Sequence, residues 1–335
     1  MTDSLAGNTT RPPAAPQSVS EDAAAFLNYM ATMPQAPLPL PDTAEQWLEV
    51  IATMNDNIRA QFAPRLPAES ALERENLTIG GVPTTVLWPA GVQRDGKSPL
   101  FLEIHGGGLF LGGGDLAWMM AAPAAQRRDG VTWSPDYRMP PLHPFPAALD
   151  DVVAVYRAAL EVRAPEQIIV SGGSAGGNLA AALLLRAKDE GLPMPAGLVL
   201  LTPEVDLTES GDSFVTNAGV DPVLSSLANV NAMYAADADL AHPYLSPLFG
   251  DLEGFPRTLL QTGTRDLFLS NTVRMHRALL RAGASAELHV FEAMPHGAFS
   301  GSAPEDIELE ALVRDFERAC LARPASPLPH LDGRI

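Results

Sequence analysis

Two spacings of apolar residues divide this chain. Up to about residue 70 they recur at helical intervals in two stretches, roughly 21 to 33 and 44 to 62, each following a capping-box pair, Ser18 with Glu21 and Thr43 with Gln46. Two helices are therefore expected ahead of any strand. From about residue 75 the pattern shortens to β-rich runs: Leu77 to Ile79, Thr84 to Trp88, Leu100 to Ile104 and Val131 to Ser134, then Ile168 to Val170, Leu198 to Leu201, Thr258 to Gln261 and Leu288 to Phe291. Helix-length amphipathic segments accompany the later runs. Strands apolar at nearly every position are buried on both faces, so the reading is an α/β chain with a mostly parallel eight-stranded sheet and helices on both sides.

One stretch breaks the alternation. Residues 202 to about 256 are rich in Asp, Ser, Asn and Pro, with one helix expected at 222 to 236, and read as an insertion. Together with the two leading helices it would form a helical cap, about 18–62 and 205–250, on a single domain spanning 18–335. Residues 1–17, rich in Pro, Thr and Ala without periodicity, read as a flexible arm.

Chemistry concentrates at three places. The run Gln167 to Ser171 followed by Gly172-Gly-Ser-Ala-Gly-Gly177 and an apolar helix from Asn178 to Ala187 is a strand, a glycine turn and a helix, the context of a nucleophile elbow that lifts Ser174 above the sheet. The plainer alternatives are a structural turn or a phosphate-holding loop at a helix start. Upstream, the strand ending at Ile104 runs into His105-Gly-Gly-Gly108. Backbone N–H groups of Gly106, Gly107 and Ala175 could then form an oxyanion hole for a carbonyl attacked by Ser174. A nucleotide loop is disfavoured, because Gly107-x-x-x-x-Gly112 is followed by Gly113 and Gly114 where Lys and Ser or Thr are required.

A serine nucleophile needs a base, and position selects among seven histidines. His276 falls in a helix, His289 in a strand, His143 in a Pro-rich connection and His330 in the tail, while His105 reads as a residue that fixes its loop. His296 lies in the loop between the last strand and the last helix, at the edge of the sheet where the elbow must also be. Asp266 follows the strand before it, so Ser174, Asp266 and His296 stand in the chain order expected of such a triad. Asp206, Asp251 and Glu253 compete for the acid role, but they fall in the cap or its edges, where solvated carboxylates are expected.

Composition narrows the partners. Asp and Glu number 40 against 22 Lys and Arg, a formal charge of -18 that repels nucleic acid and anionic lipid surfaces. Cys320 is the only cysteine, which excludes an intrachain disulfide, and no run is apolar for long enough to span a membrane. A cytoplasmic location is expected by default. A C-terminal strand edge could pair two subunits as a homodimer.

The motifs His105-Gly-Gly-Gly108, Asp136-Tyr-Arg138, Pro144 to Asp151, Gly172 to Gly177, Asp266 and Pro295-His-Gly297 resemble those of the bacterial hormone-sensitive-lipase-like esterases, over about residues 75 to 320. The chain departs from that pattern at Gly173, where an acidic residue or Thr is usual, and at Met139 to Leu142. The resemblance implies an α/β-hydrolase fold with a helical cap. It also implies a serine carboxylester hydrolase for short to medium acyl esters that needs neither metal nor organic cofactor. Asp136, Tyr137, Arg138 and Asp151 would be structural. Lactone or amide hydrolysis on the same scaffold, or a ligand-binding protein without turnover, are the other readings.

Overall fold

A computed structural model describes residues 12–33, 38–68, 71–299 and 301–322. Eight strands form one sheet: β1 (Leu72–Ile79), β2 (Val82–Pro89), β3 (Leu100–Ile104), β4 (Val131–Pro135), β5 (Ile168–Gly173), β6 (Gly197–Leu201), β7 (Arg257–Gly263) and β8 (Ala286–Phe291). Their order is β1-β2-β4-β3-β5-β6-β7-β8. The pairs of β2 with β1 and β4 are antiparallel, and every pair from β4 to β8 is parallel. Each expected apolar run lies in a strand, and the runs of β3, β5 and β6 are buried at nearly every position.

Nine α-helices occur among the described residues: α1 (Glu21–Met30), α2 (Ala44–Phe62), α3 (Asp115–Ala125), α4 (Ala147–Val162), α5 (Ala175–Asp189), α6 (Ser213–Thr216), α7 (Ala228–Ala235), α8 (Leu269–Arg281) and α9 (Pro304–Leu321). Three local expectations are corrected. The cap of α1 is Ser20, whose hydroxyl accepts from the Ala23 N–H, and not Ser18. This helix ends at Met30, short of residue 33. In the insertion the helix covers only 228–235, because the Asp221 carboxylate accepts from the Val223 and Leu224 N–H groups and holds the preceding residues in a turn.

The chain order explains where a site can form. After β3 the chain crosses to β4 on one side, and β5 then returns to the other side of β3, so a crevice opens beyond the carboxyl ends of β3 and β5. Helix α5, buried along nearly its whole length, fills the core under that crevice. The two leading helices pack separately. Ala23 and Leu27 of α1 join Phe291, Met294, Phe299 and Leu309, whereas Trp47 of α2 joins Phe110, Leu227, Val230, Leu267 and Phe268. The second cluster thus ties α2 and α7 to the loops after β3 and β7. Of the expected arm, residues 1–11 lie outside the described residues, and the carbonyls of Pro13 and Ala14 accept from the Arg265 guanidinium at 2.9 and 2.7 Å.

Candidate active site

Register brings the first two motifs together. Ile104 of β3 pairs with Gly172 of β5, so Gly106 and Ser174, each two residues further on, emerge side by side. The contact is close, since a Cβ on Gly106 would come within 2.9 Å of the Gly173 carbonyl and 3.4 Å of the Ser174 Cβ. Ser174 sits at φ 55°, ψ −124°, a left-handed conformation that a non-glycine residue adopts only under strain, and its N–H is anchored on the Leu201 carbonyl at 2.9 Å. The flanking glycines are obligatory here. A Cβ at Gly172 would lie 2.3 Å from the Gly176 carbonyl oxygen, and one at Gly176 would lie 2.0 Å from that of Ile104.

Directly after Ser174, Ala175 opens α5, so its N–H belongs to the first helical turn, where no intrahelical acceptor exists and the dipole is positive. In the other loop, Gly107 is at φ 120° with its carbonyl turned to Phe110 and Leu111. Asn55 of α2 reaches down to the same loop and accepts from the Gly112 N–H at 3.0 Å. His105 fixes the loop as expected: its Nδ1 lies 2.8 Å from the Gly106 carbonyl, and Tyr137 stacks on its ring at 4.1 Å. Burial lowers this imidazole to a pKa of about 4, which keeps it neutral.

Asp266 and His296 meet for a parallel reason. Gly263 of β7 is in register with Phe291 of β8, and the loops beyond are stitched by Thr264 N–H to the Phe291 carbonyl and Arg265 N–H to the Met294 carbonyl. Asp266 is fully buried. Its Oδ1 lies 3.0 Å from His296 Nδ1 and also accepts from the Phe268 N–H, while Oδ2 accepts from the Thr262 hydroxyl at 2.7 Å. Across the ring, His296 Nε2 is 2.9 Å from Ser174 Oγ. Phe268 meets the imidazole edge to face at 4.9 Å. Burial alone would depress the His296 pKa, but the hydrogen bond and charge of Asp266, with Asp221 and Glu204 behind it, outweigh that and raise it.

Those last two acids were not singled out from the sequence. Asp221, in the insertion, is fully buried and accepts from the backbone N–H groups of Leu267 and His296. Glu204, just past β6, donates its own N–H to the Ser174 carbonyl, and burial pushes its carboxyl up to about 8 beside Asn231. The rival acids lie elsewhere. Asp251 is exposed and paired with Lys188, and Glu253 is exposed. Asp206 corrects the expectation of a solvated residue: it is fully buried, held by Thr208, Ser210 and Arg274. Arg138 pairs with Asp151. His143 and His242 are exposed, His276 lies on α8 and His289 on β8, and His330 lies outside the described residues.

Comparison with known proteins agrees with this fold. A family profile described as alpha/beta hydrolase fold matches residues 101–300. An esterase of Acinetobacter venetianus is 35% identical over 223 residues, 65% of this chain and 74% of the relative. The crystal structure of an esterase, E25, superposes with a TM-score of 0.82 at 34% identity, covering 92% of this chain and 96% of the other. A hormone-sensitive lipase from a metagenome library superposes with a TM-score of 0.80 at 30% identity, covering 91% and 99%.

Proposed function

The chain belongs to the hormone-sensitive-lipase-like esterases of the α/β-hydrolase fold and is a carboxylesterase, and from that premise we propose that it cleaves short to medium acyl esters through Ser174, His296 and Asp266. The observation that carries the reading is the unbroken chain of contacts from Ser174 Oγ to His296 Nε2 at 2.9 Å and from His296 Nδ1 to Asp266 at 3.0 Å. Ser174 donates its proton to Nε2 as Oγ attacks the acyl carbon, and the carbonyl oxygen becomes an oxyanion that the Gly106, Gly107 and Ala175 N–H groups receive. The imidazolium, held in tautomer and orientation by Asp266, then protonates the leaving alcohol. Water, deprotonated by the same imidazole, attacks the acyl carbon, and the imidazolium gives that proton to Ser174 Oγ as the acyl–oxygen bond breaks and the acid leaves.

The reading includes a small-molecule ester as the only partner needed for turnover, no role for nucleic acid, and a cytoplasmic setting that suits a chain whose single cysteine, Cys320, is buried. Among the described residues no helix is long and apolar enough to cross a membrane. Strand β8 at the open end of the sheet is the edge at which a homodimer would pair. A series of p-nitrophenyl acyl esters, with a lactone and an anilide beside them, tests the substrate class. Turnover should be highest for the shorter chains and should fall to background in Ser174→Ala. A folded Ser174→Ala protein with undiminished turnover would refute the mechanism.

A further inference from the structure

Resting on that reading of the triad, we propose that Asp221 is a positioning residue: from the cap insertion, its carboxylate clasps the loop that carries the acid to the loop that carries the base. The insertion grips the acid loop at several points. Ser213 Oγ donates to the Leu267 carbonyl at 2.6 Å, and Asn217 Nδ2 donates to the carbonyls of Asp266 at 2.8 Å and Thr264 at 3.2 Å. These bonds end on the acid loop. Asp221 reaches further, because its Oδ2 accepts from the Leu267 N–H at 2.9 Å and from the His296 N–H at 3.3 Å, the residue after the acid and the base itself.

The other oxygen fixes the clasp to its own segment. Oδ1 accepts from Val223 and Leu224 N–H at 2.9 and 3.2 Å, so every one of these four contacts asks for an acceptor. Only a carboxylate offers two acceptor oxygens at this length, since an amide must turn its NH₂ toward one of the two donor pairs. The ionisable groups bearing on the imidazole are Asp266 from the loop after β7, Asp221 from the insertion and Glu204 from the end of β6. Asp221 itself lies within reach of the charges of His296 and Asp266, and burial first of all raises it to about 6. The clasp therefore both sets the backbone of the base and adds negative charge near the ring.

The test compares Asp221→Asn and Asp221→Glu with Asn217→Ala, which loosens the acid loop alone. Three experiments are run: thermal unfolding for Tm, steady-state kinetics on a p-nitrophenyl ester for kcat and KM, and the pH dependence of Ser174 labelling by a fluorophosphonate. In that labelling Oγ displaces fluoride from phosphorus and its proton passes to His296, so the rate reports the serine–imidazole pair whatever the natural ester. Asp221→Asn should lower kcat and labelling by roughly tenfold to a hundredfold, the scale on which small misplacements act, with KM little changed. Its acid limb should move to lower pH, because an imidazole that loses a neighbouring negative charge protonates less readily. Asp221→Glu, with charge kept and reach altered, should lose kcat without moving the limb, and Asn217→Ala should lower Tm without moving it. A folded Asp221→Asn protein with unchanged kcat, labelling and limb overturns the clasp, as would an equal limb shift in Asn217→Ala. If Asp221→Asn does not fold, unchanged kcat in Asp221→Glu overturns it instead. Failure of the substrate reading looks different: no ester in the series is cleaved, yet Ser174 labels and the labelling depends on Asp221. Labelling that survives Ser174→Ala removes both.

Discussion

Two buried clusters of charge flank β5, and they follow opposite rules. On one side Arg128, which follows α3, lies between Glu103 of β3 at 2.8 Å and Glu317 of α9 at 2.7 Å, bonds Ser171 of β5 at 3.0 Å, and sits 4.6 Å from the Phe101 ring. Though burial opposes its charge, the two carboxylates raise its pKa further above the ordinary range. At the end of the same strand one imidazole faces Asp266, Asp221 and Glu204 with no neighbouring guanidinium or ammonium among the causes of its shift. The first cluster satisfies itself and holds helices to the sheet. The second keeps an acidic excess around a group that must gain and lose a proton, the pattern that marks chemistry rather than structure. Two serines three residues apart show the difference: the Ser171 hydroxyl is consumed by Glu103 and Arg128, while that of Ser174, among the described residues, hydrogen-bonds only the base, at 2.9 Å.

The largest effect separates the acids of the second cluster from those outside it. Asp266→Ala should cost about 10³- to 10⁴-fold in kcat, because the imidazole loses both the acceptor for Nδ1 and the charge that stabilises its protonated form. Asp251→Ala, on an exposed carboxylate paired with Lys188, should leave kcat and Tm as they are. Steady-state kinetics on one ester decide between them, and equal effects in the two variants would erase the distinction.

Next comes the cluster around Arg128. Arg128→Met leaves the buried Glu317 and the half-buried Glu103 without their cation, a loss of about 3–5 kcal/mol in unfolding free energy by denaturant titration. Since neither carboxylate touches the triad, kcat at a temperature where the variant is folded should stay within about threefold of the parent, the scale of surface-like perturbation. A large kcat loss in the folded variant would mean that the two clusters are coupled through β5.

How much of this was legible beforehand follows from the range of the physics involved. Strands β3 and β5 to β7 announce themselves because burial on both faces writes apolar residues at successive positions, and the elbow because its glycines answer to contacts as short as 2.0 Å. His296 and Asp266 were readable because each lies a few residues past a strand end. Asp221, Glu204 and Asp206 were not, since a buried carboxylate and a solvated one are the same letter, and burial is decided by segments distant in the chain. The shortened helix in the insertion has the same origin. Its periodicity favours helix from 222, but the Asp221 side chain takes the N–H groups of 223 and 224 for the clasp and turn.

The smallest expected effect bears on whether the acidic excess is a real charge of three. Glu204 is fully buried and its carboxyl is raised from the ordinary value of 4.5 to about 8, chiefly by burial, with Asn231 and His296 opposing. The folded state therefore holds this proton more tightly than the unfolded chain. Stability from that difference is complete below about pH 4.5 and is lost progressively as pH rises toward 8, where the unfolded carboxyl is ionised and the folded one must follow. Glu204→Gln keeps the shape and removes the titration. Relative to the parent it should gain little at pH 5 and on the order of 2 kcal/mol or more at pH 9, read as the difference between denaturant midpoints at the two values. A gain that does not grow with pH would mean that Glu204 is ionised in the fold, and that the imidazole then works among three full negative charges instead of two.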